Sequence, residues 1–306
     1  MLDEISRPPT NELLGCRESY ALTAGLALGM LALGRGSEAA GLADLQLEDK
    51  LGNYMHGKET APHWSAFLDP SASSQGGARP SAPAVASRCC RIREGPLVNV
   101  DVTAAGATLA LALIFLKSNN ASVAAQFRVP TSTYELHCVR PDLILLRVTA
   151  RNLILWDSVQ PTEAWLSSQL PSLMAPPPAK TQGPQAPIDA EALRLARVNS
   201  IAGACLALGL RFAGSCSQQA CDLLLAQITE LHALRQSPAS AKAELPTLET
   251  CLGTAALALS LVMAGSGNLK CLRIFRVLRR RVDADVTYGF HMAVRERAPS
   301  RPPASL

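Results

Sequence analysis

The stretch AGLALGMLALGRGS at residues 24–37 decides the fold, because it is apolar, periodic and unusually rich in small residues. Its apolar spacing is that of an α-helix, yet Gly25 and Gly29 fall inside the periodic run. A glycine in a helix interior is less stable than an alanine by roughly 1 kcal/mol. Gly25 and Gly29 are four residues apart and therefore share one face of the helix. We expect a second helix to pack closely on this face and to offset the loss.

The same frame recurs at residues 107–113, 204–210 and 255–261, with the pattern Ala-x-Leu-Ala-Leu-small-(Met or Leu). Internal repetition of a helical unit is typical of solenoid proteins, in which each unit buries an apolar face against the next. The residues that carry this interpretation are Ala24, Leu26, Ala27, Leu28, Gly29, Leu109, Ala110, Leu111, Leu206, Ala207, Leu208, Gly209, Leu257, Ala258 and Leu259.

Each frame also predicts a face of small residues. The pairs that correspond to Gly25 and Gly29 are Thr108 with Ala112, Cys205 with Gly209, and Ala256 with Ser260. We expect these faces to meet a neighbouring helix, and the leucines of the frame to project towards the adjoining layer of helices.

A tight turn follows each frame, beginning at residues 34, 117, 213 and 264. The glycines suit a helix C-terminus, where a positive φ is needed, and asparagine takes that role in the second turn. Ser37 and Ser217 are placed to cap the next helix. Second helices are clearest from Cys221 and from Leu269, so the unit is helix, turn, helix. A further unit without the frame is expected at DLILLRVTARNLILWDSV, residues 142–159.

Composition narrows the class of protein. The chain has 306 residues, of which 48% are hydrophobic, 18% charged and only 4% aromatic, so its core has to come from Leu, Ala and Val. Such a chain is too apolar to be disordered, and its small residues favour tightly packed helices over a β-sandwich. The net charge of +4 comes from arginines near the C-terminus. Without interleaved aromatic residues, they indicate a solvated helix end and tail rather than a nucleic-acid interface.

The sequence shows neither a secretory signal nor a membrane span. Its first fifteen residues lack an apolar core segment. The longest apolar runs, 103–116 and 252–265, are shorter than the roughly 20 residues that a bilayer requires, so we expect buried helices. Nine cysteines without a CxxC pair indicate a reducing, intracellular compartment. Those expected to act as small buried residues are Cys16, Cys138, Cys205, Cys251 and Cys271.

Motifs for catalysis, cofactors and metals are weak. GSGNLK at 265–270 lacks the spacing of a phosphate-binding loop and indicates a helix end and turn. The five histidines are scattered, without paired spacing. Cys216 and Cys221 flank a turn and indicate inert or exposed thiols, and Asp101 has no acid–base partner in its pattern. Trp156 is interpreted as core packing, with a partner contact as the alternative. We therefore expect no catalytic residue, no cofactor and no metal.

Composition shifts predict the organisation of the chain. Two segments are rich in Pro, Ser, Gly and Ala, and are expected to be flexible and open to proteolysis. The predicted map is a first repeat region 1–68, a flexible insert 69–97, a second repeat region 98–170, a Pro-rich insert 171–188, a third repeat region 189–292 and a disordered tail 293–306.

The Leu-Ala-Leu-Gly frame followed by Gly-Ser resembles the proteasome/cyclosome repeat. That repeat occurs in the two largest non-ATPase subunits of the proteasome base and in the largest subunit of the anaphase-promoting complex. Longer strings resemble the second family in its own order, over most of residues 7–292 apart from the inserts. They are RESYALTAGLALGMLALGRGS, VNVDVTAAGATLALALIFLKSNN, RPDLILLRVTARNLILWDSV, IAGACLALGLRFAGS and LVMAGSGNLK.

The resemblance implies an all-α solenoid, a partial toroid of stacked antiparallel helix pairs. It also implies a non-catalytic scaffold subunit of a ubiquitin ligase that controls mitotic progression through degradation of cyclin and securin. The implied partners are other subunits of that complex and its co-activator, with no nucleic acid, membrane, small-molecule substrate or cofactor. The implied location is the nucleus and cytoplasm.

Two alternatives remain at this point. A scaffold subunit of the proteasome base is disfavoured by the strings FLKSNN and LILWDS. An all-α enzyme is disfavoured because no titratable residues converge in the pattern.

The sequence also departs from the family pattern at its two ends. At YGFHMA, residues 288–293, the family would open another repeat helix, whereas here an Arg/Pro-rich segment follows. The N-terminus begins without the family's long preceding region. We expect a partial chain without a closed ring, with uncovered apolar side chains on the helix at 269–281. Such a chain would be marginally stable, self-associate and join the ligase poorly.

Overall fold

The computed structural model describes residues 2–6, 17–38, 46–57, 93–94, 97–174, 187–237 and 244–280. The chain divides into two compact units, Met1–Ser118 and Asn119–Leu306. Helices dominate both units, which confirms the expected all-α class. The strands in the described part are β1 (Arg93–Glu94) and β2 (Leu97–Val98), which pair antiparallel over two residues each.

The first unit is built around two long helices. Its helices are α1 (Leu2–Ser6), α2 (Arg17–Leu31), α3 (Leu47–His56) and α4 (Val100–Ile114), with a 3₁₀ turn at Gly36–Glu38. Helix α2 packs along α4, α3 packs on α4, and α1 touches both α2 and α4. The Thr103 hydroxyl donates a 2.7 Å hydrogen bond to the Tyr54 carbonyl, so a buried polar contact joins α4 to α3.

The second unit is a row of helices with shorter helices beside it. Its helices are α5 (Ala121–Ala124), α6 (Thr133–Cys138), α7 (Pro141–Ile154), α8 (Glu163–Ser168), α9 (Pro187–Arg211), α10 (Gln218–Gln236), α11 (Leu245–Val262) and α12 (Leu269–Arg279). Short 3₁₀ turns lie at Trp156–Ser158 and Ser172–Met174. Helix α9 packs between α7 and α11, while α10 packs on α11 and α9. The core is formed mainly by Leu, Ile, Val, Ala and Cys side chains of these helices.

Two helices of the second unit are both long and apolar. Residues 190–211 of α9 and 245–262 of α11 have the length and hydropathy of a membrane span. Length and composition alone are weak evidence, because the core helix of a soluble protein has the same properties. Here the two helices pack against each other within the second unit, so burial accounts for their apolar character.

Several sequence predictions fall outside the described residues. These are the parts of the predicted inserts at 69–92, 95–96 and 175–186, the C-terminal segment 281–306 with its YGFHMA string, and Cys16. The described start of the second predicted insert forms the 3₁₀ turn at Ser172–Met174, in which the Met174 side chain is buried. Helix α9 then begins at Pro187.

Candidate functional site: the repeated helix frame and its turn edge

The four sequence frames lie in four helices. Leu26 is in α2, Leu109 in α4, Leu206 in α9 and Leu257 in α11. Helix α2 packs against α4 in the first unit, and α9 packs against α11 in the second. Frame therefore packs against frame within each unit.

Glycines make the contact between α2 and α4 possible. A Cβ atom built on Gly25 would lie 2.1 Å from the carbonyl oxygen of Gly106, and one on Gly106 would lie 2.2 Å from the carbonyl oxygen of Ala21. Carbon and oxygen atoms cannot approach so closely, so no side chain fits at either position. The two backbones are in direct contact here, which offsets the low helix propensity of glycine.

A second close contact occurs in both units, with Gly29 in the first unit and Gly209 in the second. A Cβ atom on Gly29 would lie 3.1 Å from Ala110 Cα, and one on Gly209 would lie 2.5 Å from Ala258 Cα. In both cases the small residue after the second leucine of one frame meets the alanine between the two leucines of the next frame. The repeat in sequence therefore corresponds to a repeated contact in space.

The structure corrects which face of the second helix takes part. The sequence pattern assigned Thr108 and Ala112 to the small face of α4, but Gly106 and Ala110 meet α2 instead. Thr108 and Ala112 are buried all the same. The prediction assumed that equivalent positions face each other, whereas successive helices meet through two different faces of the same frame.

The leucines of the frame divide into two classes, and only one reaches the core. The second leucine is buried in all four frames, but the first is partly exposed, and Leu26 is 45% exposed. Residues two apart on a helix point about 200° away from each other, so both cannot enter one core. The buried frame residues are Leu28, Gly29, Ala110, Leu111, Ala207, Leu208, Gly209, Ala258 and Leu259. The partly or fully exposed ones are Ala24, Leu26, Ala27, Leu109, Leu206 and Leu257.

Helix α7 packs on α9 as a unit that lacks the frame. A Cβ atom on Gly203 of α9 would lie 2.5 Å from the Leu145 carbonyl oxygen and 3.1 Å from Val148 Cβ. The Thr149 hydroxyl lies 2.9 Å from the Leu145 carbonyl and 3.2 Å from the Gly203 carbonyl. Thr149, a small polar residue, thus lies at the close contact between α7 and α9, and its hydroxyl group can donate a hydrogen bond to a backbone carbonyl there.

The turns after the four frame helices share one backbone conformation. Their first and third residues adopt positive φ, which non-glycine residues rarely do. Asn119 has a φ of 53° and takes the role expected of asparagine, while Lys117, at 60°, stands where the other three turns have glycine. The first and third residues are Gly34 and Gly36, Lys117 and Asn119, Gly214 and Cys216, and Gly265 and Gly267.

The fourth residue of the turn caps the helix that follows. The Asn120 side chain accepts hydrogen bonds from the backbone N–H of Ser122 and Val123, at 3.0 and 3.2 Å. Asn268 accepts from two backbone N–H groups at the start of α12 in the same way. Ser217 caps α10, as the sequence predicts, whereas Ser37 lies in the 3₁₀ turn.

Backbone hydrogen bonds tie residues of three of these turns to the C-terminal end of another helix in the same unit. The first or third N–H of a turn donates to one of the last carbonyls of that helix, which otherwise lack helical partners. The bonds are Gly34 N–H to Leu113 O at 2.9 Å, Asn119 N–H to Ile154 O at 3.0 Å, Gly214 N–H to Leu261 O at 2.8 Å and Cys216 N–H to Val262 O at 3.1 Å. Sequence reasoning missed these bonds, because only backbone atoms make them.

The turn edge of the second unit is the surface formed by Asn119, Trp156, Asp157 and Arg211. These residues form a polar and aromatic cluster. The Asn119 side-chain amide donates a 2.6 Å hydrogen bond to Asp157 Oδ2, and Arg211 Nη2 lies 3.8 Å from Asp157 Oδ1. The Arg211 guanidinium lies over the Trp156 ring, 5.4 Å from its centre. Trp156 is partly exposed, so the interpretation of this residue as core packing is wrong. It lies in a 3₁₀ turn after α7, where its ring stacks on Arg211 at the surface.

A buried ion pair joins α10 to α11. The Arg235 guanidinium contacts the Glu249 carboxylate, whose side chain is only 1% exposed. Burial of the pair excludes water from both charges, so each depends on the other. The one feature of the sequence that indicates this ion pair is Glu249, a charged residue within the otherwise apolar helix α11.

The thiols differ sharply in exposure. Cys205, Cys251 and Cys271 are buried as expected, but Cys138 is exposed, which corrects the prediction for that residue. Burial raises the pKa of Cys205 and Cys251 to about 12. Among the residues that the structure describes, no group of three His, Cys, Asp or Glu side chains is placed to hold a metal ion.

A family model named the APC1 fifth domain matches residues 1–296. The chain belongs to the anaphase-promoting complex subunit 1 family. Anaphase-promoting complex subunit 1 of Homo sapiens is 40% identical over 303 residues, which covers 96% of this chain and 15% of that protein. The Arabidopsis thaliana protein of the same name is 39% identical over 310 residues, covering 96% of this chain and 18% of its own length. The Schizosaccharomyces pombe protein is 33% identical over 295 residues, covering 95% and 17%.

This membership decides between the two repeat families that the sequence left open. The chain spans less than a fifth of the length of these anaphase-promoting complex subunit 1 proteins. For this member of the family, the described site is a packed helix frame with an exposed turn edge.

Proposed function

We propose that the chain acts as a scaffold segment of the anaphase-promoting complex, a multi-subunit ubiquitin ligase that controls mitotic progression through cyclin and securin degradation. Its relatives carry the name of that complex. The observation that supports a scaffold role most strongly is the repeated contact of Gly29 with Ala110 and of Gly209 with Ala258. Helices packed backbone to backbone form a stiff array, and such arrays present extended binding surfaces.

The role is non-catalytic in this proposal. Several buried polar groups serve the packing of the helices. Arg235 and Glu249 pair with each other, and the Thr149 and Asn152 side chains bond to backbone carbonyls. The frame residues are proposed as the structural determinants of this array, within the repeat regions 1–68, 98–170 and 189–292.

The turn edge of the second unit is the proposed surface for other subunits of the complex and for its co-activator. Trp156 and Arg211 support this assignment, because tryptophan and arginine are enriched among residues that dominate protein interfaces. Asn119 and Asp157 hold the edge in place through two hydrogen bonds. The proposal places the chain in the nucleus and cytoplasm, with no nucleic acid, membrane or small-molecule substrate.

Affinity capture of the tagged chain from cell extract tests the proposal, with mass spectrometry of the co-purifying proteins. We expect subunits of the anaphase-promoting complex to be enriched over a tag-only control. A variant with Trp156→Ala and Arg211→Ala should lose most of this enrichment. The matched control is Thr229→Ala, an exposed position on α10, which should retain it.

Circular dichroism first establishes that each variant is folded. A folded wild-type chain that enriches no ligase subunit would contradict the scaffold role. Enrichment of proteasome base subunits instead would show that the partners of the chain lie outside the anaphase-promoting complex. Equal capture by the wild-type chain and the double variant would show that partners bind elsewhere.

A further inference from the structure

Two buried thiols meet where α10 and α12 begin. The Sγ atoms of Cys221 and Cys271 lie 3.6 Å apart, although the two residues are 50 positions apart in the chain. Cys221 lies one turn after the Ser217 cap of α10, and the N–H of Cys271 donates to the Asn268 cap of α12. Cys221 is fully buried and Cys271 is 4% exposed. Neither thiol belongs to the repeated frame or to the turn edge.

The separation of the two sulfurs is that of atoms in van der Waals contact. A disulfide bond is about 2.05 Å long, so the sulfurs have to approach each other by about 1.6 Å to form one. A rotation of about 30° about the Cα–Cβ bond moves a cysteine sulfur by roughly 0.9 Å. Rotation of the two side chains is therefore a movement of the right size to join them.

The two thiols differ in how readily they lose a proton. Burial raises the pKa of both, and raises that of Cys271 to about 12. At Cys221 a hydrogen bond from the Cys271 thiol and the positive charge of Lys270 favour the thiolate, whereas the Asp222 carboxylate disfavours it. The same hydrogen bond raises the pKa of Cys271 further. Cys221 is thus the thiol that ionises first, and Cys271 is placed to react with it.

We propose that Cys221 and Cys271 form a site of reversible oxidation, at which hydrogen peroxide or another hydroperoxide converts the two thiols into a disulfide bond. In the first step the Cys221 sulfur attacks one peroxide oxygen. The S–O bond forms, the O–O bond breaks, and the leaving hydroxide takes up the thiol proton and becomes water.

In the second step the Cys271 sulfur attacks the Cys221 sulfur, which now carries a hydroxyl group. The S–S bond forms, the S–O bond breaks, and the hydroxide leaves as water with the Cys271 proton. Together the two sulfurs lose two electrons, and the two oxygens of hydrogen peroxide gain them. A dithiol reductant reverses the reaction by thiol–disulfide exchange.

The disulfide bond would join α10 to α12 and close a loop that contains all of α11. A cross-link over a loop of this length restricts the unfolded chain and so stabilises the folded one. Burial slows the first step, because it disfavours the thiolate that attacks the peroxide. The inference concerns a covalent modification and is independent of the scaffold role proposed above. Its failure would leave the capture of ligase subunits by the reduced chain unaffected.

Treatment of the purified full chain with hydrogen peroxide at neutral pH tests the proposal. The remaining thiols are then alkylated in urea, and the chain is digested without reductant for peptide mass spectrometry. Cys216→Ala is the matched control, because it removes the exposed thiol of the turn before α10. Cys271→Ala removes the second thiol of the pair, and dimedone is added to trap a sulfenic acid. Circular dichroism establishes that both variants are folded.

We expect a peptide pair that joins Cys221 to Cys271 in the wild type and in Cys216→Ala, about 2 Da lighter than the two reduced peptides together. In Cys271→Ala, dimedone should label Cys221 at least about tenfold more than in the wild type, because no second thiol removes the sulfenic acid. The linked chain should melt about 5–10 °C above the reduced chain, and a dithiol reductant should reverse this shift.

Four results would overturn the proposal. The first is a folded wild-type chain in which the exposed Cys216 is oxidised while Cys221 and Cys271 remain thiols. The second is a disulfide bond from Cys216 to either of them, or loss of the linked peptides in Cys216→Ala. The third is a folded Cys271→Ala chain without dimedone on Cys221. The fourth is a linked chain that melts no higher than the reduced chain, which would show that the bond distorts the helices.

Discussion

Replacing Gly209 with alanine tests the close approach of α9 and α11 most directly. The new Cβ atom would lie 2.5 Å from Ala258 Cα and 2.6 Å from Ala258 Cβ. Carbon atoms in contact normally stay about 3.5–4.0 Å apart. Both obstructing atoms are part of the backbone or bonded directly to it, so no side-chain rotation relieves the clash. The two helices have to separate by about 1 Å.

The expected size of the effect follows from two opposing contributions. A glycine-to-alanine change inside a helix stabilises it by roughly 1 kcal/mol when nothing obstructs the methyl group. Overpacking destabilises a core by about 1–3 kcal/mol, and a gap of 0.5–1 Å forfeits about a quarter to a half of each contact energy. The clash is with backbone, so we take the upper value of about 3 kcal/mol for overpacking. The net loss in the free energy of unfolding is then about 2 kcal/mol.

Urea denaturation followed by circular dichroism measures this loss. The control is Gly214→Ala, whose new Cβ atom has no neighbour within 4 Å but whose φ of 69° disfavours alanine. It should lose about 1 kcal/mol through backbone strain alone. A Gly209→Ala chain that is more stable than the wild type, by the roughly 1 kcal/mol of helix propensity, would refute the close contact.

Three further changes test other contacts. Glu249→Ala removes the carboxylate that the buried Arg235 guanidinium contacts and should lower the free energy of unfolding by about 3–5 kcal/mol in urea denaturation. A loss below about 1 kcal/mol would mean that the pair is solvated. Asn268→Ala removes the cap of α12 and should lower stability by about 1 kcal/mol, seen as a reduced melting temperature; an unchanged melting temperature would show that the cap contributes nothing. Iodoacetamide at neutral pH should label the exposed Cys216 in the folded chain. It should spare Cys205, whose pKa burial raises to about 12, until urea unfolds it; peptide mass spectrometry would contradict this burial if both thiols reacted at the same rate.

The repeated glycine positions made the helix packing predictable from the sequence. A glycine at the same place in two frames, as at Gly29 and Gly209, loses helix propensity each time and indicates a close neighbour. The sequence could not show which face of the neighbour would be met, because that depends on the crossing geometry of two helices. Hence Gly106 and Ala110 were not recognised as the partner face on α4.

Exposure was harder to predict than packing. In a row of stacked helices, an apolar residue has a core on one side and an open edge on another, so hydrophobicity alone does not separate the two. Leu26 is exposed and Trp156 partly exposed for this reason, although both lie in apolar runs. The polar edge around Asn119, Asp157 and Arg211 joins residues far apart in the chain, and no local pattern indicates such a meeting.

The turn-to-helix bonds have a consequence for divergence between relatives. Main-chain atoms alone make them, so a substitution on the turn edge that keeps the backbone conformation does not remove the bonds. The third residue of the turn shows this tolerance within a single chain, since it is asparagine in one turn and cysteine in another. The outer surface can therefore change its side chains while the backbone bonds that stack the helices are kept.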